Sequence, residues 1–192
     1  MSNKALLIID VQKGFDDPTW GNRNNLHAES NIALLLLAWR NKHLPIIHIQ
    51  HCSVEPDSPL RPNQTGNEFK DEALPMAGEK QFTKTVNSAF IGTKLEQYLR
   101  DKIIIDLVIV GLTTDHCVST STRMAGNLGF NVTLVSDATA TFDRTGHDGV
   151  EYSAEDIGGG PQKLDKVLSY MSDSPDGGID NGKNQKEAQS TV

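Results

Sequence analysis

A chain of 192 residues, 37% hydrophobic and 22% charged, is long enough for one domain that buries about 70% of its unfolded surface around a single core. A net charge of −7 with no cluster of Lys and Arg excludes nucleic acid as the main partner, because phosphate binding needs concentrated positive charge. The apolar run before Asp10 is too short for a signal peptide, no apolar run approaches the roughly 20 residues that cross a bilayer, and the only cysteines are Cys52 and Cys117. The chain therefore reads as cytoplasmic, with free thiols and no membrane partner.

In chain order, the first element is the apolar run 5–10, a strand buried on both faces of a parallel sheet and closed by Asp10. A helix is expected over about 28–42, followed by a second strand over 45–51. The segment 52–83 contains Pro56, Pro59 and Pro62 and little periodicity, and reads as a long functional loop. A helix over about 93–102 precedes a third strand, 105–111. Val118, Thr122, Ala125 and Leu128 then repeat at helical spacing over about 115–128, and a fourth strand covers 131–137. Alternating strands and helices predict an α/β fold, a three-layer Rossmann-like parallel sheet with right-handed crossovers and helices on both faces. Gly158, Gly159 and Gly160 follow no strand and read as a linker rather than a phosphate loop. Residues 161–171 are expected to form a short helix that completes a domain spanning 1–171, and the polar stretch 172–192 is expected to be a disordered tail.

Cys117 stands where the third strand turns into a helix. Unpaired N–H groups and a positive dipole end there favour thiolate over thiol and can hold an oxyanion. Asp10 closes the first strand, so both side chains lie at carboxyl ends, where an open parallel sheet binds ligands. An aspartate within reach of a thiol can act as its base. Lys84, in the run Lys84–Phe90, would offset that carboxylate or stabilise charge on a substrate. His116 adjoins Cys117, but neighbouring side chains on a helix diverge by about 100°, which makes it a cap or pocket wall rather than a base. His51, at the end of the second strand, is an alternative base.

Three stretches together carry a resemblance: residues 6–12 (Leu-Leu-Ile-Ile-Asp-Val-Gln), Lys84 with 87–90 (Asn-Ser-Ala-Phe), and 111–125, which runs from Gly111 through Asp115, His116 and Cys117 to Ala125. They resemble the cysteine hydrolases of the isochorismatase-like superfamily, among them nicotinamidases and N-carbamoylsarcosine amidases, over about residues 5–150. The resemblance implies the isochorismatase-like hydrolase fold, with Cys117 as nucleophile, Asp10 as base and Lys84 as third member of a catalytic triad. It also implies a non-proline cis peptide at Leu112–Thr113 and an oxyanion hole from the N–H groups of Thr113 and Cys117. Gln12, Phe15, His51, Phe90 and His116 become substrate-binding positions, with Trp20 as a further apolar wall.

The implied activity is cysteine-dependent hydrolysis of a C–N bond in a small amide or ureido compound through a thioester, without cofactor, in a homo-oligomer (dimer or tetramer). Nicotinamidases carry an Asp-x-His metal pair at the end of the second strand. This chain has His48 and His51 there instead, three apart and so on opposite faces of a strand, and no metal is expected. His48 reads as a satisfied core histidine. Retention of Cys117 disfavours an isochorismatase-type ether hydrolase, and an intact triad disfavours a non-catalytic scaffold that keeps the fold. The family's last strand is not recognisable after Ile157, which leaves open a shortened sheet lacking that strand, an edge covered in an oligomer, or a compromised fold.

Overall fold

The computed structural model describes residues 3–158. The expected helix at 161–171, the polar tail and any last strand beyond Ile157 lie outside them. The main sheet is built from β1 (Lys4–Ile9), β2 (Ile46–His51), β3 (Lys80–Lys84), β4 (Asp106–Leu112) and β5 (Asn131–Ala140), all parallel, in the order β3-β2-β1-β4-β5. Three helices support it: α1 (Ala28–Asn41), α2 (Leu95–Asp101) and α3 (Ser119–Asn127). A small ribbon of β6 (Arg144–Thr145) and β7 (Glu151–Tyr152) and a single turn, α4 (Ala154–Ile157), follow. Among the described residues, no helix is long and apolar enough to cross a membrane.

The pleat of β1 explains the three layers. Ala5, Leu7 and Ile9 pack with residues of α2 and α3 in one core, whereas Leu6 and Ile8 pack with Ile32, Leu35, Leu36 and Trp39 of α1 in another. A strand covered on both faces needs no polar side, and that is why β1 runs apolar without alternation from Ala5 to Ile9. Side chains of α1 cover one face and those of α2 and α3 the other.

Two sequence expectations change. The segment 52–83 is not wholly loop, because Lys80–Lys84 pairs with β2 as an edge strand. Its first four residues are exposed or only half-buried, so it lacks the apolar run that marks a central strand. A short edge strand carrying two lysines is also a common way of blocking further pairing. The expected helix at 115–128 begins instead as one π-turn, Thr114–Val118, in which the Val118 N–H reaches the Thr113 carbonyl at 3.2 Å. Such turns are rare and often found at functional sites.

Gly111 shows how closely β1 and β4 approach at the end that carries the site. It has φ +128°, and a Cβ built there would lie 2.0 Å from the Ile9 carbonyl oxygen. Only glycine fits, both for the left-handed backbone and for the contact. The β4–β5 register shifts at the same place, between Ile109 and Gly111.

Candidate active site

The chain runs outward from β1 to β2 and β3, then returns to the other side of β1 for β4. Strand order therefore reverses between β1 and β4, and the crevice beyond their carboxyl ends is the expected ligand position in such a sheet. Asp10 follows the last residue of β1, and Cys117 follows β4 by five residues. His51 and Lys84 are the last residues of β2 and β3 and lie opposite each other in register. Four strand ends thus deliver four chemically active side chains to one place. Asp10 occupies the left-handed region at φ 53°, which a short polar residue tolerates better than most, and it turns the chain sharply out of the strand.

The ammonium of Lys84 is the hub. Its Nζ lies 2.6 Å from Asp10 Oδ2, 3.2 Å from His51 Nδ1 and 3.3 Å from Cys117 Sγ, so each of its three protons has an acceptor. The side chains of Asp10 and Lys84 are both 0% exposed. The second carboxylate oxygen, Asp10 Oδ1, is buried without a well-formed hydrogen bond. Cys117 stands beside the carboxylate, close enough that each group alters the other's proton affinity. Burial raises the Asp10 pKa, against the opposing charge and hydrogen bond of Lys84.

Burial, and then the charge of Asp10, push the Cys117 thiol up to about 12. This reverses the expectation of a resting thiolate. The sulfur sits inside an apolar cluster with Val118, Ala89 and Phe90, only 8% exposed, and desolvation there outweighs the helix start. At pH 7 the sulfur is a neutral thiol, next to a carboxyl group whose Oδ1 makes no well-formed hydrogen bond. Burial, together with the Lys84 charge, lowers His51 to about 4. His51 is therefore neutral at pH 7, with Nδ1 accepting from Lys84, and that nitrogen is not free to act as a base.

Asp10, His51 and Cys117 each offer a ligand atom within 4.8 Å of the others, a donor set of the kind zinc uses. Lys84 Nζ already stands among them. His48, on the face of β2 turned toward α1, is fully buried and bonded through Nε2 to Glu79 Oε2 at 2.7 Å, away from His51.

The remaining expected positions divide. Phe90 is buried beside Cys117 and stacks on Phe130 at 6.0 Å. Phe15 is buried with Leu112 and Phe142 under the partly buried Trp20 ring, next to the cis peptide Leu112–Thr113. Thr113 is 3% exposed. The His116 side chain is 55% exposed and nearest to Asp115, with Nε2 3.6 Å from its Oδ2, as suits a rim position.

Gln12 departs from expectation. Its Nε2 donates to the carbonyls of His51 (3.0 Å) and Asn67 (2.8 Å), and its Oε1 accepts from the His51 N–H at 2.8 Å. Both amide protons are spent on backbone, so Gln12 fixes the end of β2 rather than offering its amide to a substrate. Its fully buried position, forced by the turn after Asp10, is the reason.

Sequence reasoning assigned no role to three other groups. Asn87 Oδ1 lies 3.7 Å from Cys117 Sγ, and Asn67 Nδ2 also holds the His51 carbonyl, at 2.8 Å. Asp115 is clamped by Arg144 Nε at 2.9 Å and Thr141 Oγ1 at 2.5 Å. Burial alone would raise the Asp115 pKa, but these bonds hold it at about 2, anchoring the turn that presents Cys117. Asn87 and Asp115 left a trace in the sequence, by sitting in the runs 87–90 and 111–125, whereas Asn67 left none.

Residues 4–159 match the isochorismatase domain model. An uncharacterised isochorismatase-family protein of Bacillus subtilis, YrdC, is 52% identical over 154 residues, which cover 80% of this chain and 82% of that protein. The crystal structure of an isochorismatase-family protein from Chromobacterium violaceum superposes with a TM-score of 0.78 at 46% identity, covering 88% of this chain and 86% of that one. Nicotinamidase 3 of Arabidopsis thaliana is 26% identical over 157 residues, 75% of this chain and 76% of its own length. With these matches and a five-stranded parallel sheet carrying its polar residues at the switch point, the chain belongs to the isochorismatase family.

Proposed function

We propose that this protein hydrolyses the C–N bond of a small amide or ureido compound, with Cys117 as nucleophile, Asp10 as proton carrier and Lys84 as the fixed countercharge. The observation that carries this reading is the buried Asp10–Lys84 pair beside Cys117, with one Asp10 oxygen left free. A carboxylate whose pKa is raised by burial is a stronger base than one in water. As Sγ approaches the carbonyl carbon, Asp10 Oδ1 takes the thiol proton and the S–C bond forms. The thiol does not need to ionise beforehand.

Lys84 donates to both Sγ and Asp10 Oδ2, so it offsets the negative charge whichever atom holds it. The N–H groups of Thr113 and Cys117 take the oxyanion, a role carried over from the family resemblance. Asp10 then passes its proton to the leaving nitrogen as the C–N bond breaks, leaving a thioester. Water attacks the thioester, gives one proton to Asp10, and the acid leaves as that proton returns to sulfur. Amide chemistry is supported by the similarity to a nicotinamidase.

The test is ammonia release from nicotinamide, ureido acids, biuret and small carboxamides. At least one should be turned over, with a loss on the order of 1,000-fold or more in Cys117→Ala and an acyl adduct on Cys117 by mass spectrometry. Undiminished turnover by Cys117→Ala would remove the nucleophile from the proposal.

A further inference from the structure

We infer that the ammonium of Lys84 fills the position of a metal ion in a zinc-type ligand set formed by Asp10, His51 and Cys117, and so keeps that set free of metal. Carboxylate, imidazole and sulfur are the donor types that zinc takes, and their ligand atoms lie within 4.8 Å of one another. Asp10 is fully buried and its Oδ1 makes no well-formed hydrogen bond, which leaves the carboxyl group ligand capacity beyond its contact with Lys84. Lys84 Nζ contacts one atom of each of the three residues at 2.6, 3.2 and 3.3 Å. Zinc bonds to O, N and S run at about 2.0–2.3 Å, so the ligands would need to contract by roughly 0.5–1.2 Å around a metal placed where Nζ is.

A metal and the ammonium cannot both occupy this centre. The site is buried, where repulsion between a divalent ion and an ammonium a few ångströms away is strong. The lysine also satisfies all three ligands with one charge and no coordination bond, which leaves the sulfur protonated and able to attack. A metal would instead hold it as a coordinated thiolate. The inference does not depend on the proposed reaction, since it concerns only what the four side chains can bind.

The test uses the full chain with Co2+ as a spectroscopic probe. Wild type should show no thiolate-to-cobalt charge-transfer band. Lys84→Met, which keeps the bulk and removes the charge, should bind one Co2+ with that band, at an affinity at least on the order of 100-fold above wild type. Lys84→Gln, whose amide still donates to Asp10, should behave as Lys84→Met does, and adding Cys117→Ser should abolish the band in either. Zn2+ should compete with Co2+ and raise the thermal midpoint of the Lys84 variants but not of wild type.

A wild-type band of equal affinity overturns the inference. So do Lys84 variants that are cooperatively folded, by circular dichroism and thermal unfolding, yet show no band, and variants that stay unfolded when refolded with Zn2+. None of these readouts uses turnover, so a failure here leaves the hydrolase proposal standing, and the reverse also holds.

Discussion

Replacing Lys84 by Met removes the countercharge from a carboxylate that is completely buried, and the cost can be bounded in two ways. Breaking a buried ion pair by deleting one partner is worth about 3–5 kcal/mol, because the survivor keeps its desolvation penalty. Alternatively Asp10 takes up a proton, which at pH 7 costs about 4 kcal/mol, from the three-unit gap to its reference pKa near 3.9 at about 1.36 kcal/mol per unit. Both routes give a loss of about 4 kcal/mol at pH 7, or roughly 8–16 °C in Tm for a chain of this size.

The second route also fixes the sign of the pH dependence. The folded variant then holds a proton that the unfolded chain lacks, so its stability improves as pH falls toward the reference value. At pH 5 the cost of protonation drops to roughly 1.5 kcal/mol. Urea unfolding with EDTA at pH 7 and pH 5 reads this directly. The double variant Asp10→Asn/Lys84→Met should recover most of the loss and show no such pH dependence, since neither charge remains. A Lys84→Met loss under about 1 kcal/mol at pH 7, or an equal loss at both pH values, would refute the assignment of a desolvated, ion-paired Asp10.

Four further outcomes follow from the same structure. Because the Cys117 thiol is pushed up to about 12, its iodoacetamide labelling at pH 7–8 should be on the order of 100-fold slower than that of a free cysteine, read on the Cys117 peptide by mass spectrometry. Labelling as fast as a free thiol would contradict the buried neutral thiol. Since the folded state holds that proton more tightly than the unfolded chain, stability should also fall as pH rises from about 9 toward 12, less so in Cys117→Ala.

Gly111→Ala puts a methyl 2.0 Å from the Ile9 carbonyl at φ +128°, and should cost about 3 kcal/mol or more or prevent soluble expression. A variant with wild-type Tm would show that β1 and β4 can separate freely. Burial would raise the Glu29 pKa, but Arg23 and Lys70 hold it at about 2, so it contributes stability above pH 4.5 that is lost as pH falls toward 2. Glu29→Gln should flatten the acid limb of a pH–stability curve, and an unchanged limb would place the acid sensitivity elsewhere.

What the linear chain specified is the local chemistry of its strands. Near-continuous apolar runs ending in Asp10, His51 and Gly111 announce buried parallel strands, because a strand covered on both faces can be apolar without alternation. Asp10 and Cys117 could therefore be assigned to one sheet edge before any coordinates. β3 was not legible, since an edge strand with exposed Lys80 and Gln81 looks like loop until it is paired.

Three properties belong to the tertiary structure alone. Lys84 meets Asp10 across 74 residues of sequence only because the order β3-β2-β1-β4 sets their strand ends on either side of β2. Gln12 stands in a resemblance-bearing run, yet its amide is consumed by the backbone of His51, a pairing that no spacing reveals. The proton affinity of Cys117 depends on the apolar residues packed around it, and the helix start, visible in the sequence, pointed the other way. Residue identity sets which groups can react. Desolvation and the distances between them, which arise only when the sheet assembles, set the state in which they wait.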